Sequence, residues 1–377
     1  MWIYILIYVF VFFLAGISEK CCDENKKIKK IIFWVSTILI IIVPALLAGL
    51  RGKNVGTDTS GYVLYAFQFA VDKYNLQQII KYSNVEPLYA VINLIVATLT
   101  NNMNILLFVL QLIVDIVFFV AFYNLRKKHS YALLYSIFII LFFNKSLNMI
   151  RQTIAIGFVM LSFKEAVNNK FIKYCLLNIA AICFHKTAII AFPIYFIIKL
   201  AKGQKSRRNI TIIIGSSILA ILLFRPVVMF LVNLHVLDKR YSQYINFNSD
   251  ILMLELLFMI AIFSICMIFR KQLLKINNYN KLYMVFLAIA IILYSLGIFN
   301  TFASRFSYYY YYFIVFIIEE IIKVISLQKN QRWVEGITIS SITLLIVYSS
   351  IYYGHYKLDG TVPYKTVYSE RKEEILQ

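Results

Sequence analysis

Residues 31–50 read IIFWVSTILIIIVPALLAGL, and residues 51–62, which follow at once, read RGKNVGTDTSGY. The first stretch carries no charge. As a helix its twenty residues extend about 30 Å, the thickness of a bilayer's hydrocarbon core. Four lysines, Lys26, Lys27, Lys29 and Lys30, stand before it, and a polar loop with three glycines stands after it. Similar apolar runs of roughly 15 to 24 residues recur along the chain between short polar breaks. The composition matches: 61% of the 377 residues are hydrophobic, with a mean hydropathy of +0.75. No soluble core requires so many such runs, so the chain reads as an all-α, polytopic integral membrane protein. No Pro/Gly/Ser-rich linker, long charge block or fixed-period repeat divides it. The expected organisation is a single transmembrane domain over 1–353, including an outer segment 51–103, and a polar C-terminal tail over 354–377.

The five cysteines include no Cys-x-x-Cys pair, and Cys175, Cys183 and Cys266 lie inside apolar runs. Neither a disulfide framework nor a zinc site is supported. Met1 to Ile17 has no basic leading region and no A-x-A cleavage site, and its lysines come after it. It reads as an uncleaved helix with its N-terminus outside. The net charge of +20 invites a nucleic-acid reading, but the excess sits in short loops between apolar runs. That is the pattern of a juxtamembrane topology signal, so no nucleic-acid partner is expected.

Taking alternate loops as cytoplasmic places 18–30, 125–130, 164–173, 199–209, 270–281 and 323–333 on one side. These six hold 23 of the 38 basic residues. The assignment works only if Pro87 to Thr100 does not cross, and its 14 residues reach only about 21 Å as a helix. A re-entrant or surface helix at 87–100 is expected. The remaining spans are 2–17, 31–50, 104–124, 130–144, 149–165, 171–184, 187–200, 210–233, 251–269, 282–300, 306–325 and 334–353, about twelve transmembrane helices.

Few ionisable residues are left outside, close to the apolar runs. Glycines 52, 56 and 61 allow tight turns and a close backbone approach to a bound group. Arg51 and Asp58 offer a cation and a base, although Asp58 or Thr59 could simply cap a helix through Tyr62, Tyr65 and Phe69. Glu86 stands at the start of the 87–100 segment, as a catalytic carboxylate or as an acid favoured at a helix N-terminus. Arg151 opens an apolar helix from its outer end and either snorkels or binds a partner. His185-Lys186-Thr187 and Ser304-Arg305-Phe306 form tight outer turns. Tyr308 to Tyr312 suit an interfacial aromatic belt better than a sugar-stacking platform. Asp115, Arg225 and Glu255 lie within spans and should face the bundle interior.

The chain has no Walker A, GxGxxG, GxSxG, HExxH or Asp-x-Asp signature, so nucleotide, metal or other cofactor dependence has no support. The set Arg51, Gly56-Thr57-Asp58-Thr59, Tyr62, Glu86-Pro87, Arg151-Gln152, His185-Lys186-Thr187 and Arg305 resembles the EpsG family of Wzy-like polysaccharide polymerases. R-x4-G-T-D-T-x2-Y and the later R-Q and H-K-T turns carry most of the resemblance, which spans about residues 30 to 325. The resemblance implies a GT-C-like glycosyltransferase on the outer face of a bacterial plasma membrane. It would join oligosaccharide repeats carried on undecaprenyl diphosphate for exopolysaccharide, capsule or O-antigen, beside a chain-length regulator and a flippase.

In that chemistry arginines offset charge on the departing diphosphate, and a carboxylate or imidazole takes the acceptor hydroxyl's proton. Arg151, Arg305 and Arg51 are then the expected diphosphate contacts. Asp58, His185 and Glu86 are the candidate bases in that order, and Thr57, Thr59, Tyr62, Gln152 and Lys186 are substrate contacts. A transporter or flippase for lipid-linked sugars should spread polar residues through the membrane depth, often in two related halves; Asp115 and Arg225 are its best support. A membrane acyltransferase using His185 would need an acyl donor reached from the cytoplasm, and His185 is placed on the other face.

Overall fold

The computed structural model describes residues 1–202, 253–298, 304–327 and 329–376, with scattered positions between 208 and 233. Among these residues there is no β-strand, only an isolated antiparallel bridge between Arg51 and Thr366. Five helices are long and apolar enough to cross a membrane: Trp2–Cys21, Lys27–Leu50, Met103–Tyr123, Tyr131–Asn148 and Gln331–His355. A sixth span arises if Met253–Ile268 and Arg270–Ile276, bent by 78° to each other, are one. Pro87–Leu99, Phe171–Phe184 and Asn280–Tyr294 are shorter apolar helices. The described residues divide into two compact units, Met1–Ile189 with Val334–Gln377, and Ile190–Trp333.

In the first unit we number α1 (Trp2–Cys21), α2 (Lys27–Leu50), α3 (Leu64–Val71), α4 (Leu76–Ser83), α5 (Pro87–Leu99), α6 (Met103–Tyr123), α7 (Tyr131–Asn148), α8 (Ile150–Val167) and α9 (Phe171–Phe184). Apolar runs form the longer ones, α3 and α4 being eight-residue helices, and polar residues cut them to length. Asn102 caps α6 by accepting from the backbone N–H of Asn104, and Ser130 caps α7 through Leu133. Asn75 and Gln78 close a reciprocal capping box on α4. α1 packs on α2 and α7, α2 on α6, and α8 on both α6 and α9. This arrangement buries α7 along nearly its whole length. Its last turn therefore holds Asn144, Lys145 and Asn148 inside the protein.

The second unit contains Ile194–Lys202, Met253–Ile268, Arg270–Ile276, Asn280–Tyr294, Tyr308–Tyr311 and Ile314–Ile325. The expected continuous helix over 187–200 is broken. A 3-10 segment, Lys186–Ala191, precedes Ile194–Lys202, because Pro193 lacks an N–H and turns the preceding residue away from helical geometry. The aromatic belt is also corrected: Tyr308 to Tyr312 are each at most 4% exposed. Tyr308 donates to Glu255 Oε2 at 3.2 Å and Tyr310 to the Ile190 carbonyl at 2.9 Å. Such partners for the Tyr308 and Tyr310 hydroxyls let those two rings be buried. Glu255 also accepts from Tyr294 at 3.0 Å, and Asp115 is buried against Gln111 at 3.1 Å. Both face inward as expected; Arg225 and most of 210–233 lie outside the described residues.

Candidate functional site

Glu86 is placed by its neighbours in sequence. Asn84 ends α4 in the left-handed conformation, Val85 is buried, and Pro87 occupies the first turn of α5. A residue before proline avoids helical geometry, and Glu86 accordingly has extended φ/ψ of −78° and 154°. Its carboxylate does not cap α5. It reaches instead to Arg151 Nη1 at 2.8 Å, to His185 Nδ1 at 3.2 Å and to the backbone N–H of Lys186 at 3.2 Å. One buried carboxylate thus draws together the first turn of α8 and the end of α9. Burial alone would raise the Glu86 pKa. His185, Arg151 and the Lys186 N–H outweigh that and hold it at about 2.

Arg151 is fixed by more than its ion pair. Its guanidinium lies 5.7 Å from the Tyr62 ring centre and 5.3 Å from that of Tyr89, within cation–π reach of both. Gln152, next on α8, is buried. The Lys186 ammonium reaches toward Asn84 Oδ1 at 3.5 Å. His185 is held against the same carboxylate as Arg151, through its Nδ1.

The loop after α2 is shaped from two directions. On one side, Asn148 Oδ1 accepts from Thr57 Oγ1 at 2.7 Å and from the Asp58 N–H at 3.0 Å. Asn148 is the last residue of α7 and Arg151 the second of α8, so the loop with Asp58 is bonded to a residue that lies close to Arg151 in the chain. On the other side, the chain after Tyr356 folds back over the loop. Gly52 N–H donates to the Lys365 carbonyl and Gly56 N–H to the Gly360 carbonyl, each at 2.9 Å. Glu370 accepts from the N–H groups of Lys53 and Asn54 at 2.8 and 3.2 Å. Asp359 accepts from Asn148 Nδ2 at 2.9 Å and faces the Lys145 ammonium at 3.9 Å. Thr361 joins Tyr4 and Asn144 at 2.8 and 2.9 Å.

Both loop glycines with close neighbours answer to protein groups. A Cβ on Gly52 would meet the Glu370 carboxyl at 2.1–2.3 Å. Gly56 has φ of +87°, and its Cβ would meet the Leu147 carbonyl oxygen at 2.8 Å. Asp58 makes no side-chain cap on the π-helical turn Thr59–Val63 that follows it. Thr59 is fully buried and donates to the Val55 carbonyl at 2.9 Å.

The structure thus brings Glu86, Arg151, His185, Lys186 and Tyr62 into one cluster and ties Thr57 and Asp58 to it through Asn148. Arg51 is fully buried in the same unit. Arg305 opens the one-turn helix Arg305–Ser307 of the second unit. Asn148, Asp359 and Glu370, which the sequence does not single out, shape the loop that carries Asp58. Asn144 and Asn148, one helical turn apart at the end of an apolar run, are the available signal for the first, whereas nothing local marks Asp359 or Glu370.

The EpsG family model matches residues 31–366. No curated protein and no solved structure matches the chain. The match covers nearly the whole sequence, so the chain belongs to the EpsG family, which is associated with glycosyltransferase-like polysaccharide polymerase activity.

Proposed function

We propose that this EpsG-family membrane protein polymerises undecaprenyl-diphosphate-linked oligosaccharide repeats on the outer face of a bacterial plasma membrane. In this reading about twelve crossings in a GT-C-like arrangement, with 87–100 not crossing, surround an outward site. A flippase supplies the repeats and a chain-length regulator acts beside the enzyme. The observation that carries the reading is the Glu86–Arg151–His185 cluster beside a loop that presents Asp58.

Glu86, held by two hydrogen-bond donors with His185 Nδ1 beside it, is a weak proton acceptor and serves to orient Arg151 and His185. Arg151 has one Nη on Glu86 and the rest of its fork for a phosphate oxygen. As the bond between the anomeric carbon and the phosphate oxygen breaks, negative charge grows on the departing diphosphate, and the guanidinium offsets it. Asp58 takes the proton of the acceptor hydroxyl while that oxygen bonds to the anomeric carbon. The products are a glycan longer by the donor's repeat and free undecaprenyl diphosphate.

The test is the lipid-linked glycan profile of a strain lacking the protein. Single repeats should accumulate there and disappear when the wild-type chain is restored. Asp58→Asn keeps the shape but removes the proton acceptor, and should slow chain growth by about 10²- to 10⁴-fold. Normal extension by that variant returns Asp58 to a structural role. A deletion strain without single repeats opposes the polymerase reading itself.

A further inference from the structure

The Arg51 side chain is the outlier of the first unit. It follows α2 directly, is 0% exposed, and none of its three nitrogens has a hydrogen-bond partner among the described residues. Its backbone is tightly placed: the Arg51 carbonyl accepts from Asn104 Nδ2 at 2.9 Å, and Arg51 bridges Thr366. A guanidinium presents five N–H donors and no acceptor, and keeps its charge at neutral pH. Burying it unpaired is unfavourable unless an anion completes the site.

Three tyrosines lie within electrostatic reach of it: Tyr4, Tyr364 and Tyr89. Two have committed their protons, Tyr4 to the Thr361 carbonyl and Tyr364 to the Leu47 carbonyl, each at 2.8 Å. Tyr89 differs. Its hydroxyl is buried and has no hydrogen-bond partner among the described residues; Asn93 stands one turn further along α5. The same Tyr89 ring lies 5.3 Å from the Arg151 guanidinium.

We infer that Arg51 and the Tyr89 hydroxyl form a second phosphoryl subsite adjoining Arg151, so that a diphosphate is held with one phosphate on each. Arg51 supplies the charge and Tyr89 an O–H donor. Tyr89 is therefore a substrate-contacting residue that selects diphosphate over monophosphate. Arg51 is 0% exposed, so the subsite requires the packing around it to open for a ligand to enter. This inference rests on the proposed use of Arg151 as a diphosphate contact.

The experiment measures affinities of the full chain in detergent for farnesyl diphosphate, farnesyl monophosphate and inorganic pyrophosphate. Wild type should favour the diphosphate lipid over the monophosphate. Tyr89→Phe and Arg51→Lys should each cut that preference by about tenfold, as expected for a lost charge-assisted hydrogen bond, while leaving monophosphate binding nearly unchanged. Pyrophosphate should follow the diphosphate lipid if the subsite reads the phosphates alone. Pyrophosphate that fails to bind while the lipid binds, with the preference intact in both variants, assigns recognition to the prenyl chain and overturns the inference. Unchanged preference in Tyr89→Phe and Arg51→Lys, together with loss of all phosphate binding in Arg151→Lys, overturns it too but leaves the Arg151 assignment standing. No binding by wild type of any of the three ligands defeats both. Melting temperatures show which variants are folded, and where one of the two does not fold the other decides the question.

Discussion

Glu86 shows how one side chain can assemble a site from distant parts of the chain. Its partners Arg151 and His185 are 65 and 99 positions away, yet all three meet at hydrogen-bond or ion-pair distance. The carboxyl's ordinary pKa of 4.5 falls to about 2 in the fold. A depressed carboxyl contributes stability above its unfolded pKa and loses that contribution as pH falls toward the folded one. The shift corresponds to roughly 3 kcal/mol. Glu86→Gln should therefore lower the melting temperature at pH 7, and the gap from wild type should narrow as pH is lowered from 5 toward 3. It should also abolish polymerisation, because Arg151 and His185 lose their common anchor. A gap that stays constant with pH would show that Glu86 carries no stabilising charge pair. Sequence alone ranks Glu86 third among the candidate bases; the Arg151 and Lys186 donors and the His185 ring around it favour an orienting role.

At the scale of elements, the chain after Tyr356 behaves as a strap across the 51–58 loop. Backbone pairing to Gly52 and Gly56 aligns it, and Glu370 clamps the N–H groups of Lys53 and Asn54. Gly52 has no room for a side chain while Glu370 stays in place. Gly52→Ala should displace Glu370 and cost about 1–3 kcal/mol, the scale of a lost charge-assisted pairing. Glu370→Ala should cost a similar amount. Because both remove one contact, the double variant should be no worse than either single change. Melting temperatures of the four proteins complete the cycle, and fully additive losses would mean that Gly52 and Glu370 act separately.

For the whole molecule, the decisive property is which residues lie outside the membrane. Asn102 and Lys128 are both exposed and flank α6, whose 21 residues extend about 31 Å. In a chain with its native cysteines replaced, a cysteine at position 102 should react with an impermeant thiol reagent added outside. One at position 128 should not. The reverse pattern would put the Glu86 cluster on the cytoplasmic side and remove the basis for chemistry on exported, lipid-linked repeats.

Much of the helical frame is legible in the sequence by itself, because span length, apolar content and the lysine-rich loops are properties of contiguous residues. α1, α2, α6 and α8 begin and end within a few residues of the runs that announce them. The same local logic brings out Arg51, Asp58, Glu86, Arg151 and His185 as polar residues stranded at helix ends. It misleads over the Tyr308–Tyr312 run, since five aromatic residues at a helix end look alike whether lipid or protein covers them. Only the tertiary structure decides that Glu86 pairs with Arg151 and His185, that Asn148 positions the Asp58 loop, and that Arg51 is fully buried. Each of these depends on contacts between remote segments, as between Tyr4 and Thr361, 357 positions apart. A local pattern states that a residue is polar and where on its helix it lies; packing alone chooses the group that answers it.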